Sequence, residues 1–367
     1  MSIYQKFGVR KVINGSGKMT ILGASAVQPE IAEALGAAAM DYVVMEELMV
    51  AAGQKIAIAT GTEDGCPTAG AAPGIAIAVA AVIAGTDLSK IERLPNSDGL
   101  KNEIILQKGH VVNFGAPVAQ MITLGGGRVI EAGQANHVEA CHIKEAITEK
   151  TAALFYVKSH HAVQKGMQSI ETMAAIAKKY NLPFIIDAAA EGDLKKYAAA
   201  GADIVIYSGG KALGGPTSGF ICGRANFMKA CRKQYKGIGR AMKVGKEGII
   251  GLLTALKLYE CQVDDSKLQI ERMTWLINQF DKTSGIKGEI VQDEAGRAIY
   301  RANLTINPEI TSKDAYQIIK ELEEGNPAIY TRNYYANLGI ISIDPRPLLK
   351  RQEEVIAMRI KEIIKEK

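Results

Sequence analysis

Two residues define the chemistry this sequence can support. Asp187 closes the apolar run Pro183-Phe-Ile-Ile-Asp187, and Lys211 follows 24 positions later within Ala202-Asp-Ile-Val-Ile-Tyr-Ser208-Gly-Gly-Lys211-Ala-Leu-Gly-Gly-Pro216. An acid at the C-terminal end of one buried strand and an amine just past the next would reach the same crevice, where open α/β sheets hold ligands. A carboxylate there keeps a pyridine nitrogen protonated, and a lysine amine forms a Schiff base with an aldehyde; pyridoxal 5'-phosphate (PLP) chemistry asks for both. Ser208 is placed to donate a hydrogen bond to the cofactor phosphate, while Gly209, Gly210, Gly214 and Gly215 allow close backbone approach. Taken singly, Asp187 reads as a helix N-cap and Lys211 as a solvated loop residue. Together with the serine and the glycines they read as a cofactor site. A Walker-type phosphate loop does not fit, because Ala212 stands where a Ser or Thr metal ligand is required and the GxxxxGK spacing is absent.

A second constellation, Gly65-Cys-Pro-Thr68-Ala69-Gly70-Ala71-Ala-Pro73-Gly74, leads into a helix expected from about Ile75 to Ala84. Small residues at a helix N-terminus expose free N–H groups to an anion, so Ala69, Gly70 and Ala71 are candidates for the PLP phosphate; a tight packing turn is the competing reading. His110 follows the strand-like run Glu103–Leu106 and could lay its imidazole over a pyridine ring, while His160 and His161 follow the run Ala153–Val157. Any of the three could donate a proton near neutral pH. His137 and His142 fall on an expected helix at a spacing that separates their faces, which gives them a structural or surface role. No ligand set suggests a metal. Arg332 and Arg346 each stand beside a strand-like run and could grip a carboxylate in two-point fashion or form surface ion pairs.

The elements that would position these groups are legible as alternation. Glu103–Leu106, Ala153–Val157, Pro183–Asp187, Ile204–Tyr207 and Phe220–Cys222 read as strands separated by helix formers such as Ile170–Lys179, which predicts a mostly parallel, buried sheet. From about Arg240 a long helix gives way to charged helices and two or three strands, among them the alternating run Ile299–Ile306, and the end from Arg351 reads as an amphipathic surface helix. The expected division is an arm at 1–25, a large PLP-binding domain at 26–240, and a linking helix with a small C-terminal domain at 241–367. A length of 367 residues, 47% of them hydrophobic, accommodates two cores. The net charge of +5 favours small phosphorylated or carboxylated partners and is too mild to argue for nucleic acid. Gly65–Thr86 carries no charge, but its prolines, glycines and alanines predict a buried core helix and not a membrane span. Five cysteines without CxxC spacing, and an N-terminus without an apolar leader, predict a cytoplasmic protein with reduced thiols.

Tyr207–Pro216, Gly219–Gly223, Arg240–Lys246, Val12–Gly17 and Thr20–Gly23 resemble the selenocysteine synthase (L-seryl-tRNA selenium transferase) family of fold-type I PLP enzymes. The resemblance implies the aspartate-aminotransferase-like fold and a homodimer or larger assembly. It makes Lys211 the Schiff-base lysine, Asp187 the pyridine partner, Ser208 a phosphate contact and Ser159 a cofactor neighbour. The sequence departs from the family at Ser159-His160-His161, at His110, and in lacking a tRNA-binding domain. These departures resemble the branch of ammonia-lyases acting on D-glucosaminate-6-phosphate, a phosphorylated amino sugar acid. On that resemblance Lys211 removes the Cα proton, a histidine protonates the departing hydroxyl, Arg332 takes the carboxylate, and Arg240, Lys243 or Lys246 the distal phosphate. The rivals are a selenium or sulfur transferase, a β-eliminating lyase on another amino acid, and a catalytically silent scaffold.

Overall fold

The structure, a computed structural model, describes residues 3–159, 161–294 and 296–365. Its strands are β1 (Val12–Gly15), β2 (Asp64–Thr68), β3 (Glu103–Gln107), β4 (Arg128–Ala132), β5 (Thr151–Val157), β6 (Phe184–Asp187), β7 (Ile204–Ser208), β8 (Gly219–Gly223), β9 (Ile286–Gln292), β10 (Tyr300–Ile306), β11 (Ala328–Thr331) and β12 (Ile340–Ile343). They fall into two compact units, Ala26–Cys261 and a smaller one made of Met1–Ser25 with Gln262–Lys367.

The large unit holds a seven-stranded sheet in the order β2-β8-β7-β6-β5-β3-β4. From β7 through β4 the strands run parallel, and β8 lies antiparallel to both of its neighbours. All five strands expected from the sequence are present. Their apolar runs lack a polar alternation because both faces are covered; every residue of β5 is buried. Strands β2 and β4 were not foreseen. The sequence of β2, Asp-Gly-Cys-Pro-Thr, has turn composition, and Pro67 is tolerated in it because β2 is the sheet edge. The uncharged segment beyond it forms the helix Ala71–Ala84, buried almost throughout from Gly74 onward. Among the described residues no helix is long and apolar enough to cross a membrane.

The border after Ser25 falls where the sequence expectation put it, while the second lies after Cys261 and not after Arg240. The first 25 residues do not form a separate arm, since β1 pairs in parallel with β11 of the small unit. The helix Lys246–Glu260 sorts with the large unit, where Gly251 allows it to approach the helix Pro29–Ala39; a Cβ at 251 would stand 2.8 Å from Leu35. Within the small unit, the antiparallel sheet β12-β10-β9 turns Ala302, Leu304, Ile306, Ile341 and Ile343 into a core shared with the helices Ser266–Asn278, Ala315–Glu324 and Gln352–Lys365. The last of these buries Ile356, Ile360 and Ile363 at helical spacing, as its amphipathic pattern requires.

Candidate active site

Parallel strands deliver their C-terminal ends to one edge of the sheet, and the candidate residues gather there. Asp187 ends β6 and is 6% exposed. Its Oδ1 accepts from the Ala189 N–H at 3.0 Å. Burial pushes its carboxyl up to about 6, against the pull of the Lys211 charge and the Ala189 bond, so aspartate and lysine feel each other directly. Lys211 follows β7 in a tight loop closed by Gly214 N–H to Lys211 C=O (3.1 Å) and Gly215 N–H to Gly209 C=O (2.8 Å). Gly214 has φ +66°, a conformation that side chains rarely adopt and that turns the loop back on itself.

The turn at residues 69–71, at the N-terminus of the helix Ala71–Ala84, follows the outermost strand of the same sheet. Gly219 of β8 pairs with Ser208 on one side and Thr68 on the other, which puts Ser208 next to the entry of the Ala71–Ala84 helix. The approach is close: a Cβ at 219 would stand 2.7 Å from the Gly70 carbonyl carbon and 3.0 Å from the Ala71 nitrogen. Gly219 had no assigned role in the sequence reading, and only this backbone contact explains it. Thr68 Oγ1 donates to the Gly70 carbonyl at 2.8 Å and fixes the turn that carries Ala69, Gly70 and Ala71. The residues therefore fit PLP: a buried acid whose proton a neighbouring cation can displace, an amine within its field, and a helix N-terminus with a serine beside it for an anion.

The histidines separate. His110 is completely buried at the end of β3, with Nδ1 accepting from the Val157 N–H (3.2 Å) and Nε2 against the Val163 carbonyl (3.1 Å). Its ring meets Tyr156 edge-on at 4.4 Å. Burial pushes its pKa down to about 4, so it stands as a neutral imidazole with both nitrogens engaged. That state does not suit the proton donor expected of it, although a flat neutral ring suits stacking. His161 is exposed, and its N–H donates to Ser159 Oγ at 3.2 Å. His160 lies outside the described residues. His137 precedes the helix Ala140–Glu145 instead of sharing it with His142; it pairs with Glu139 at 3.0 Å, and His142 Nδ1 accepts from the Glu139 N–H.

Of the basic residues expected near a distal phosphate, Arg240 and Lys243 are exposed on the large unit. Lys246 is engaged: its ammonium donates to the carbonyls of Ala38 (2.5 Å) and Ala39 (2.9 Å) at the C-terminus of the Pro29–Ala39 helix and pairs with Glu247 at 3.2 Å. A cation there neutralises the negative helix end, which is a structural use. Arg332 is half-buried in the small unit, stacked over the Tyr334 ring at 4.4 Å. Arg346 clasps Asp344 with Nε at 2.9 Å and Nη2 at 2.7 Å.

The pattern that describes L-seryl-tRNA selenium transferases matches residues 12–300. The chain belongs to that family. Its members are PLP-dependent enzymes, and the fold is that of fold-type I. Two curated relatives match nearly end to end. A Streptomyces protein described as 5'-C-glycyluridine monooxygenase-decarboxylase is 46% identical, covering 98% of this chain and 92% of the relative. The D-glucosaminate-6-phosphate ammonia lyase of Salmonella typhimurium is 45% identical, covering 99% and 98%. A solved structure of a D-glucosaminate-6-phosphate ammonia-lyase superposes with a TM-score of 0.94 at 44% identity, covering 99% of this chain and 98% of that one.

Proposed function

We propose that this family member is a PLP-dependent ammonia-lyase converting D-glucosaminate-6-phosphate to 2-keto-3-deoxy-6-phosphogluconate and ammonia. The observation that carries the reading is the Asp187–Lys211 pair, set at the strand ends of a fold that matches the ammonia-lyase at a TM-score of 0.94. When bound, PLP supplies the electron sink for negative charge at the substrate Cα. Asp187 would keep the pyridine nitrogen protonated, the N–H groups at Ala69, Gly70 and Ala71 with Ser208 would hold the phosphate, and His110 and Ser159 would border the ring. The Lys211 amine would hold the cofactor and, in turnover, remove the proton from the substrate Cα. His161 or His160 protonates the C3 hydroxyl as it leaves as water. Arg332 binds the carboxylate, and Arg240 and Lys243 the distal phosphate, while Lys246 caps the end of the Pro29–Ala39 helix. Hydrolysis of the released enamine returns the water and frees ammonia.

Purified protein should show the visible absorption of bound PLP and lose it in Lys211→Ala. Ammonia and a 2-keto acid should form with D-glucosaminate-6-phosphate and not with serine or seryl-tRNA. A colourless protein, or the reverse substrate pattern, overturns the proposal. The 46% identical relative supports a second reading, an oxidative decarboxylation of a glycyl-nucleoside. That reaction consumes dioxygen and releases carbon dioxide, so gas exchange separates the two.

A further inference from the structure

Residues 188–195 join β6, which ends in Asp187, to the short helix Lys196–Ala199. Three phenol hydroxyls reach this loop: Tyr197 donates to Glu191 Oε2 at 2.8 Å, Tyr259 to the Gly192 carbonyl at 2.9 Å, and Tyr207 to the Asp193 carbonyl at 3.0 Å. Tyr197 belongs to the helix that follows the loop and Tyr207 to β7, the strand next to β6. Tyr259 comes from elsewhere, near the end of the helix Lys246–Glu260.

One stripe of that helix runs along the turn that carries Lys211. A Cβ at Gly209 would stand 2.9 Å from Leu252 Cδ1, and one at Gly215 would stand 2.9 Å from the Ala255 Cβ. Leu252, Ala255 and Tyr259 are three and four residues apart and so lie on one face. The same face thus backs the Lys211 turn and, one helical turn further on, holds the Asp187 loop. The two loops also meet each other beside Lys211, since a Cβ at Gly192 would stand 4.0 Å from the Ala212 Cβ and 2.5 Å from the Tyr259 hydroxyl. Gly192 has no left-handed φ, so it is the hydroxyl, and not the backbone, that bars a side chain there.

The Asp187 carboxyl takes its bearing from this loop. Its Oδ1 accepts from the Ala189 N–H at 3.0 Å, the Ala189 carbonyl accepts from the Ser208 N–H at 3.2 Å, and the Glu191 N–H closes a turn on the Ala188 carbonyl at 3.0 Å. Gly192 is the next residue. Burial and the Asp193 charge raise the Tyr259 pKa above its ordinary value, so its hydroxyl stays protonated and donates.

We infer that Tyr259 is a positioning residue for the cofactor site, whose hydroxyl ties the Asp187 loop to the helix backing the Lys211 turn and so fixes the carboxyl relative to the amine. The inference rests on the PLP reading above, and it acts through the Gly192 carbonyl.

Tyr259→Phe keeps the ring and deletes the bond. In the PLP-loaded protein, the midpoint of a pH titration of the visible band reads the charges set around the cofactor; it should move by about half a unit or more. Apo-protein titrated with PLP should bind it about three- to tenfold more weakly. Tyr197→Phe loses a bond to a side chain of the same loop and should leave the midpoint in place and the affinity within about twofold. Gly192→Ala drives a methyl against the hydroxyl and should also shift the midpoint; it carries the test if Tyr259→Phe melts early. Combining the two removes the clash, so the double variant should be no worse than either single one. A lower melting temperature with an unmoved midpoint, equal shifts in Tyr197→Phe, or additive shifts in the double variant overturns the inference. A wild type that takes up no PLP sinks the cofactor reading instead. Hydrogen exchange of the Ala189 amide in the apo-protein then decides: exchange about tenfold faster in Tyr259→Phe upholds the tie, and unchanged exchange overturns it.

Discussion

Asp187 in the large unit and Asp344 in the small unit are both withdrawn from water, at 6% and 0% exposure, yet their pKa values are shifted in opposite directions. Burial raises the pKa of each. At Asp344, hydrogen bonds from Arg346 and the charges of Arg346 and Arg301 outweigh burial and hold the carboxyl below its usual range. At Asp187, Lys211 and one backbone N–H are not enough, and the carboxyl stays at about 6. The number and geometry of cations, more than depth, separate the two. An acid saturated with arginines stays ionised and ties strands together. An acid held by a single lysine and one backbone N–H keeps room for a further cation, the property a pyridine nitrogen's partner needs.

The largest effect that would sharpen this contrast is at Lys211. Lys211→Ala should lower turnover by about 10³-fold or more while the melting temperature holds. A stability loss without a specific loss of activity would make Lys211 an ordinary ion-pair partner and break the comparison. Next is Arg301→Leu, which takes away one of the two arginines that hold each of two buried carboxylates in the small unit; denaturant unfolding should show a loss of about 3–5 kcal/mol. A loss under about 1 kcal/mol would mean that the ion pairs there contribute little.

The pH dependence of apo-protein stability comes third. Asp187 has a higher pKa folded (about 6) than its ordinary 3.8, so the folded state binds the extra proton in that window and the contribution falls as pH rises through it. His110 is the reverse: its pKa is about 4 folded against an ordinary 6.5, so its contribution rises with pH over that range. The two oppose each other in the wild type. Asp187→Asn should expose the rise, gaining roughly 2–3 kcal/mol relative to wild type between about pH 4 and 6. Parallel pH profiles would show that Asp187 ionises without strain. The smallest effect is at Lys246, where Lys246→Met should cost about 0.3–1 kcal/mol through the uncapped Pro29–Ala39 helix and leave KM unchanged. A KM rise of about tenfold would return Lys246 to the substrate phosphate.

Much of the large unit was readable from the sequence because buried parallel strands write themselves as continuous apolar runs, and Asp187, Ser208 and Lys211 follow directly from where two such runs stop. Strand β2 was hidden because an edge strand with glycine and proline looks like a turn. The polarity of His110 gave no hint that the sheet would bury it and occupy both of its nitrogens, since those partners lie 47 and 53 residues away in the chain. Arg301 was equally silent: its strand was recognised by alternation, but only the register of β10 on β12 reveals that it meets Asp344 and shares a face with Arg332.

Anaerobic incubation with D-glucosaminate-6-phosphate tests most directly whether Lys211 and Asp187 serve an elimination. Ammonia and 2-keto-3-deoxy-6-phosphogluconate should accumulate in equal amounts, at the aerobic rate and without carbon dioxide. Turnover that requires dioxygen and releases carbon dioxide would contradict the assignment.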